Sequence, residues 1–324
     1  MHVRFALATK ISKERVGTEL EGMFNGPAPV EAVRLLHRLG LFTTVFALPA
    51  PLDTRLGGSY GGPCCATMAA ADSLARALDL KMDKDERRFL LLAALMLPLR
   101  ELQHSPPKGR PVPAAAALIR DSLKWRVKDI EMTAVLHDTA AELAAAHAAL
   151  RQGRDGGADA GVGEAGAGKG GEARDVRVML GQAIRKLKQH WKLGVALAPV
   201  ILMRAATPLR PDGGGAAALE DSDEGSSGGG AAAEAAEAAG TARLEMAREL
   251  LAAVHAYGLE ECWSWRPLMD GKKVMSLLGW SKPGPELGRV MAAVMDWQLV
   301  HPQGTLPEAE VMVKDTFGAA GTKA

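Results

Sequence analysis

Aromatic residues and cysteines are scarce in this sequence of 324 residues. Phe, Trp and Tyr make up 4% of it, and the cysteines are Cys64, Cys65 and Cys262. These positions match neither a zinc site nor a disulfide framework, so we expect an intracellular, reducing compartment. The opening Met1-His-Val-Arg-Phe resembles neither a signal peptide nor a transit peptide, so no leader is expected. The nucleus or cytosol, the mitochondrion and the plastid are not distinguished.

Long hydrophobic runs and strand-like alternation are also missing. The longest apolar run, Phe89 to Leu99, has eleven residues and contains Pro98. It is too short to cross a bilayer and predicts a buried helix. Because alternating Val, Ile and Thr are rare, we expect an all-α, multi-helical fold.

Recognised catalytic motifs are absent as well. Chemistry on nucleotides with Mg²⁺ needs paired carboxylates on a rigid element, and Asp221-Ser-Asp223 lies instead in a Gly/Ser-rich tract. There is no Walker loop and no GxGxxG. His137-Asp138 matches the pair of metal phosphohydrolases, but further ligands are not evident, and we favour a surface histidine. No catalytic residue and no metal site are predicted in this chain.

Two low-complexity tracts divide the sequence. Residues 153–171 are rich in Gly and Ala, and residues 205–242 are rich in Gly, Ala, Ser and acids. Neither can bury enough apolar area to offset its ordering entropy, so both are predicted to be disordered. The second tract holds seven acidic residues and no Lys or Arg between Asp212 and Glu237, so the rest of the chain carries +8 rather than +1. That excess favours a polyanionic partner.

A helical hairpin is predicted near the N-terminus. Ser12 is placed to cap a helix whose apolar stripe includes Val16, Leu20 and Phe24. Asn25-Gly26-Pro27 should end that helix, and a second should run from about Ala28 to Leu39.

Cations cluster in three places, and in two of them they recur at helical spacing. Arg177, Arg185, Lys188 and Lys192 share an arc of a predicted helix from Arg174 to Arg204. Arg120, Lys124 and Lys128 recur every four residues and predict a straight ridge beside Trp125, which is either a core residue, the favoured reading, or a stacking platform. Such stripes are either solvated helix faces or surfaces that bind phosphates, and spacing alone leaves both open.

The third place is a turn near the C-terminus. Pro285 is suited to the first position of a helix, and the turn contains Gly284 and Gly288. Free backbone N–H groups there could bind a phosphate, or the glycines could serve close helix packing. The cations around this turn are Lys272, Lys273, Lys282 and Arg289.

Several segments together resemble the neck, body and tail of class II CCA-adding tRNA nucleotidyltransferases, a family related to poly(A) polymerases, and are most similar to the plant versions. The neck resemblance lies in Ile11-Ser-Lys-Glu-Arg-Val-Gly-Thr-Glu-Leu20 and continues through Phe46-Ala-Leu-Pro49. The body resemblance lies in Leu95 to Arg100 and Ile119 to Lys124, and the tail resemblance in Gly258 to Gly271 and Trp297 to Pro302. The similarity covers about residues 5 to 315, apart from the two tracts.

The resemblance implies an RNA-binding role. The family adds CTP- and ATP-derived nucleotides to the tRNA 3′ end with Mg²⁺ held by a catalytic head, and no counterpart of that head is found here. The chain is therefore expected to bind the acceptor–TΨC arm of tRNA, to be inactive alone, and to need a catalytic head. A separately encoded head is a candidate partner. The alternative is a helical scaffold or regulatory paralogue that docks a protein partner.

The resemblance also implies site residues and domains. Glu14 and Arg15 are expected to support the nucleotide template, and Lys13 joins the cations named above as an RNA contact. The expected domains are a remnant at 1–9, the neck at 10–50, the body at 51–204, the acidic linker at 205–242 and the tail at 243–324.

Overall fold

The protein is mainly helical, as expected. The computed structural model describes residues 2–155, 169–203, Ala206, Leu209 and 229–318. Within these residues the strands are the short antiparallel pair β1 (Gln103–His104) and β2 (Val112–Pro113), with Gln103 opposite Pro113. The predicted all-α class is confirmed.

Helices follow one another closely through the first part of the chain. They are α1 (His2–Thr9), α2 (Lys13–Phe24), α3 (Pro29–Arg38), α4 (Phe42–Val45), α5 (Leu52–Leu56), α6 (Gly61–Ala77), α7 (Lys84–Met96), α8 (Ala114–Leu118) and α9 (Val127–Asp155). A 3₁₀ turn at Leu97–Leu99 follows α7, and a π-helical turn at Ile119–Leu123 follows α8.

The remaining helices begin after the first tract. They are α10 (Lys169–Leu187), α11 (Trp191–Ile201), α12 (Gly229–Ala256), α13 (Gly271–Leu278), α14 (Pro285–Val300) and α15 (Leu306–Phe317). Further 3₁₀ turns lie at Lys188–His190 and Cys262–Ser264. None of the described helices has the length and apolarity needed to cross a membrane.

The chain forms two compact units. The first comprises Met1–Ala144 and Lys192–Leu251, and the second comprises Ala145–Trp191 and Ala252–Ala324. This division differs from the expected one, because residues 145–191 of the predicted body group with the tail.

The N-terminal hairpin forms for the local reasons that its sequence provides. The Ser12 hydroxyl accepts a hydrogen bond from the backbone N–H of Arg15 at 3.3 Å, so the predicted cap is confirmed. Leu20 and Phe24 are buried on the inner face of α2. Gly40 follows α3 in the left-handed region (φ 66°), which glycine adopts at little cost.

The core of the first unit is centred on α7. Asp83 and Glu86 form a capping box at its start. Every residue from Phe89 to Leu99 is buried, and the run ends in the 3₁₀ turn that contains Pro98. The predicted buried helix is confirmed.

The second unit has its own apolar core on α13, α14 and α15. Val274, Val290 and Val313 are fully buried there. Helix α10 packs closely on α14, because a Cβ atom at Gly181 would lie 2.5 Å from the Leu299 side chain.

The structure corrects two element predictions. The predicted helix from Arg174 to Arg204 is interrupted, because Lys188 adopts a left-handed conformation (φ 55°) that breaks the helical hydrogen-bond pattern between α10 and α11. Part of the tract predicted to be disordered is helical, since α12 begins at Gly229. The central parts of both tracts, residues 156–168 and 210–228, lie outside the described residues.

Candidate nucleic-acid interface

An ion-pair network anchors α2 to the core of the first unit. Arg88 is 2% exposed, and its guanidinium lies 3.0 Å from Asp129, 3.2 Å from Glu21 and 2.8 Å from Asp85. Burial alone would lower the pKa of Arg88, but the hydrogen bonds and charges of Asp129 and Asp85 outweigh burial and raise it. Arg126 extends the network by pairing with Glu21 at 2.5 Å. The sequence patterns did not indicate this network, because Glu21 and Asp129 come from elements far from Arg88 in the sequence.

A close backbone contact joins α2 to the π-helical turn. A Cβ atom at Gly17 would lie only 2.0 Å from the carbonyl oxygen of Leu123. The indole Nε1 of Trp125 donates to the Gly17 carbonyl at 3.0 Å, and its ring meets the Phe24 ring edge-on at 5.1 Å. Of its two predicted roles, Trp125 therefore serves as a core residue.

The predicted straight ridge of Arg120, Lys124 and Lys128 does not form. The π-helical turn ends at Leu123, and Lys124 adopts a left-handed conformation with φ 56° and ψ 30°. A left-handed conformation costs a non-glycine residue about 1–2 kcal/mol. Lys128 lies beyond this break on α9, with its ammonium 5.0 Å from the centre of the Phe89 ring.

Three of the predicted cations lie near this contact, around Asp121. We define the junction cluster as Lys13, Glu14, Arg120, Asp121 and Lys124. Arg120 pairs with Asp121 at 2.7 Å, and this hydrogen bond, followed by the charges of Arg120, Lys124 and Lys13, lowers the pKa of Asp121. Lys13 and Lys124 are exposed and form no ion pair within 4 Å with any described residue.

The same two lysines affect the pKa of Glu14. A backbone hydrogen bond from its own N–H lowers the pKa of Glu14, and the Ser12 hydroxyl and the ammonium groups of Lys124 and Lys13 act in the same direction. Arg15, the other residue expected to support a nucleotide template, is exposed.

In the second unit, two predicted RNA contacts are engaged in packing. The Nε of Arg177 donates to the Leu299 carbonyl, and its guanidinium lies over the Tyr257 ring. Burial lowers the pKa of Arg177. Arg185 donates to the carbonyls of Cys262 at 2.6 Å and Trp265 at 3.0 Å. These arginines bind backbone carbonyls of their own unit, whereas Lys188 of the same unit is exposed, as is Lys192 of the first unit.

The predicted C-terminal turn is open to solvent. Pro285 is the first residue of α14, as expected, and Gly284 is its N-cap. A Cβ atom at Gly284 or Gly288 would meet nothing within 4 Å, so helix packing does not require glycine at either position.

The cations around this turn divide into two groups. Lys273 pairs with Glu310 at 2.8 Å, and Arg289 pairs with Glu286 at 2.9 Å. Lys272 and Lys282 are exposed, with no ion pair to the residues that the structure describes.

His137 is not part of a metal centre in the described residues. It is buried rather than at the surface, and its Nε2 lies 2.8 Å from the carbonyl oxygen of Ala93. Burial lowers the pKa of His137 to about 4. Within the described ranges, no three His, Cys, Asp or Glu side chains are grouped closely enough to hold a metal ion.

Comparison with known proteins gives matches over the hairpin and over nearly the whole chain. A family described as the probable RNA- and SrmB-binding site of polymerase A matches residues 5–51. The tRNA nucleotidyltransferase cca2 of Schizosaccharomyces pombe is 24% identical over 317 residues, which are 94% of this chain and 51% of that protein. The mitochondrial CCA tRNA nucleotidyltransferase of Candida glabrata is 21% identical, over 95% of this chain and 54% of that protein.

The chain thus spans about half the length of these curated relatives. No solved structure matches it significantly.

Proposed function

We propose that this chain, which belongs to the family of CCA-adding enzymes and poly(A) polymerases, binds the acceptor–TΨC arm of tRNA through phosphate and sugar contacts. The observation that carries the proposal is sequence similarity to tRNA nucleotidyltransferases along nearly the whole chain. The match of an RNA-binding family to α1–α4 supports it.

The structure reduces the number of cations that are available to contact RNA phosphates. Arg177, Arg185 and Lys273 have protein partners within their own unit. We therefore assign the phosphate contacts first to the exposed lysines that have no ion pair to a described residue: Lys13, Lys124, Lys188, Lys272 and Lys282. Ammonium groups bind phosphates as point charges, and A-form RNA is read mainly by its backbone and shape.

Nucleotide addition is not assigned to this chain alone. The reaction needs paired carboxylates on a rigid element to hold Mg²⁺, and neither of the strands among the described residues carries an Asp-x-Asp motif. In this proposal the chain binds tRNA, and a catalytic head carries out nucleotide addition. Glu14 and Arg15 would support the nucleotide template of that head.

A competition experiment tests the choice of RNA arm. Labelled tRNA transcript bound to the chain should be displaced by an acceptor–TΨC minihelix almost as well as by whole tRNA, because the minihelix retains the proposed phosphate contacts. An anticodon-arm hairpin of equal length is the matched control and should compete poorly.

Equal competition by both hairpins would exclude arm recognition. If no tRNA binds while another protein co-purifies with the chain, the scaffold alternative replaces the proposal.

A further inference from the structure

The junction cluster lies at the close backbone contact between Gly17 of α2 and Leu123 of the π-helical turn. Gly17 lets α2 approach the carbonyl of Leu123 so closely that no side chain fits between them. The Trp125 indole stabilises this contact by donating a hydrogen bond to the Gly17 carbonyl. The backbone positions of Lys13 on α2 and Lys124 after the π-helical turn are therefore held by this packing.

Lys124 is an unfavourable residue for the conformation it adopts. Its φ of 56° lies in the left-handed region, where glycine and asparagine are accommodated more readily. Its backbone N–H is bonded to the Ile119 carbonyl, which holds this geometry, while the side chain is exposed. Packing therefore does not explain a lysine at this position, and its exposed ammonium group can contact an anion.

The surrounding charges define the ligand chemistry. The cluster has three cations, Lys13, Arg120 and Lys124, and two carboxylates, Glu14 and Asp121. Asp121 already engages Arg120, so the two lysines are the groups left for an anion. Two exposed ammonium groups on adjoining backbone segments suit neighbouring phosphates of a nucleic-acid backbone better than they suit a single carboxylate.

We propose that Lys13 and Lys124 form one phosphate-binding site for the RNA backbone, with Asp121 opposing the same phosphates. This inference rests on the proposed function, since it places one RNA contact at the α2 contact with the π-helical turn. The proposal therefore distinguishes these two lysines, which contact RNA, from exposed lysines elsewhere in the same unit, such as Lys84, which do not.

The test measures the affinity of purified full chain for a tRNA transcript at several salt concentrations. Lys13→Gln and Lys124→Gln should each weaken binding about threefold to tenfold and reduce the salt slope by about one. Asp121→Asn should strengthen binding about twofold or more, because it removes an opposing charge and releases Arg120. Lys84→Gln is the matched control, an exposed lysine at the start of α7, and should leave affinity unchanged.

The variant Lys124→Gly tests whether weaker RNA binding comes from loss of the ammonium group or from misfolding. Glycine adopts the left-handed conformation without strain, so this variant should melt no lower than the parent and yet bind as weakly as Lys124→Gln. If wild type binds tRNA and the lysine variants match Lys84→Gln, the site is wrong while the proposed function stands. If wild type does not bind tRNA, the proposed function fails and this site fails with it.

Discussion

The imidazole of His137 lies in the core, although its sequence context predicted a surface position. The pair His137-Asp138 has the letters of a metal site, yet the His137 ring is buried and its Nε2 lies at hydrogen-bonding distance from the Ala93 carbonyl. That contact comes from α7, a distant element in sequence, so no local pattern could indicate it.

Burial of His137 predicts a measurable pH dependence of stability. Its pKa is lowered from 6.5 to about 4, so between these values the unfolded state binds a proton that the folded state does not. The free energy of unfolding should therefore fall as pH falls from about 6.5 to 4, by up to about 3 kcal/mol from this residue.

Chemical denaturation at several pH values, on wild type and His137→Gln, isolates this contribution. Glutamine can still donate to the Ala93 carbonyl but does not titrate. The variant should lose stability less steeply as the solution is acidified. Parallel curves for the two proteins would show that the folded state protonates His137 normally.

Residue type alone also could not show whether the arginines pack within the protein or face the solvent. Arg177 and Arg185 share an arc with exposed lysines in the sequence pattern, but their longer planar groups reach backbone carbonyls of neighbouring segments. The lysines of the same pattern stay at the surface. Periodicity identified the cationic face and could not show which of its members pack.

At the scale of elements, local signals predicted helices and their starts better than their interruptions. The Ser12 cap and Pro285 as the first residue of α14 follow from nearest-neighbour chemistry. The breaks at Lys124 and Lys188 do not, because a lysine carries no preference for the left-handed region. They depend on how the preceding turn packs.

The contact between α2 and the π-helical turn gives a matched pair of glycine substitutions. Gly17→Ala should destabilise the protein by about 1–3 kcal/mol, because its Cβ would collide with the Leu123 carbonyl. Gly22→Ala lies on the same helix with open space around its Cβ and should stabilise by about 0.5–1 kcal/mol.

Thermal and urea unfolding of both variants checks this pair. If Gly17→Ala is as stable as Gly22→Ala, the backbone approach of α2 is looser than the structure indicates. The close approach of the backbone segments that carry Lys13 and Lys124 would then lose its support.

For the whole molecule, composition and periodicity were enough to predict an all-α fold with two low-complexity tracts. They could not predict the division into units, in which residues 145–191 group with the C-terminal helices. That grouping depends on long-range packing, such as the approach of α10 to α14 at Gly181. Of the candidate site, sequence supplied the cations, and the tertiary structure separated exposed lysines from packed arginines.

The salt dependence of tRNA binding is the most direct test of the account. If exposed lysines neutralise at least three phosphates, the logarithm of the association constant should fall linearly with the logarithm of salt concentration, with a slope steeper than about −2. The affinity should also be nearly independent of tRNA sequence, since phosphates carry no base identity. A slope near zero, or no binding at low salt, would contradict the claim that this chain holds tRNA by its backbone.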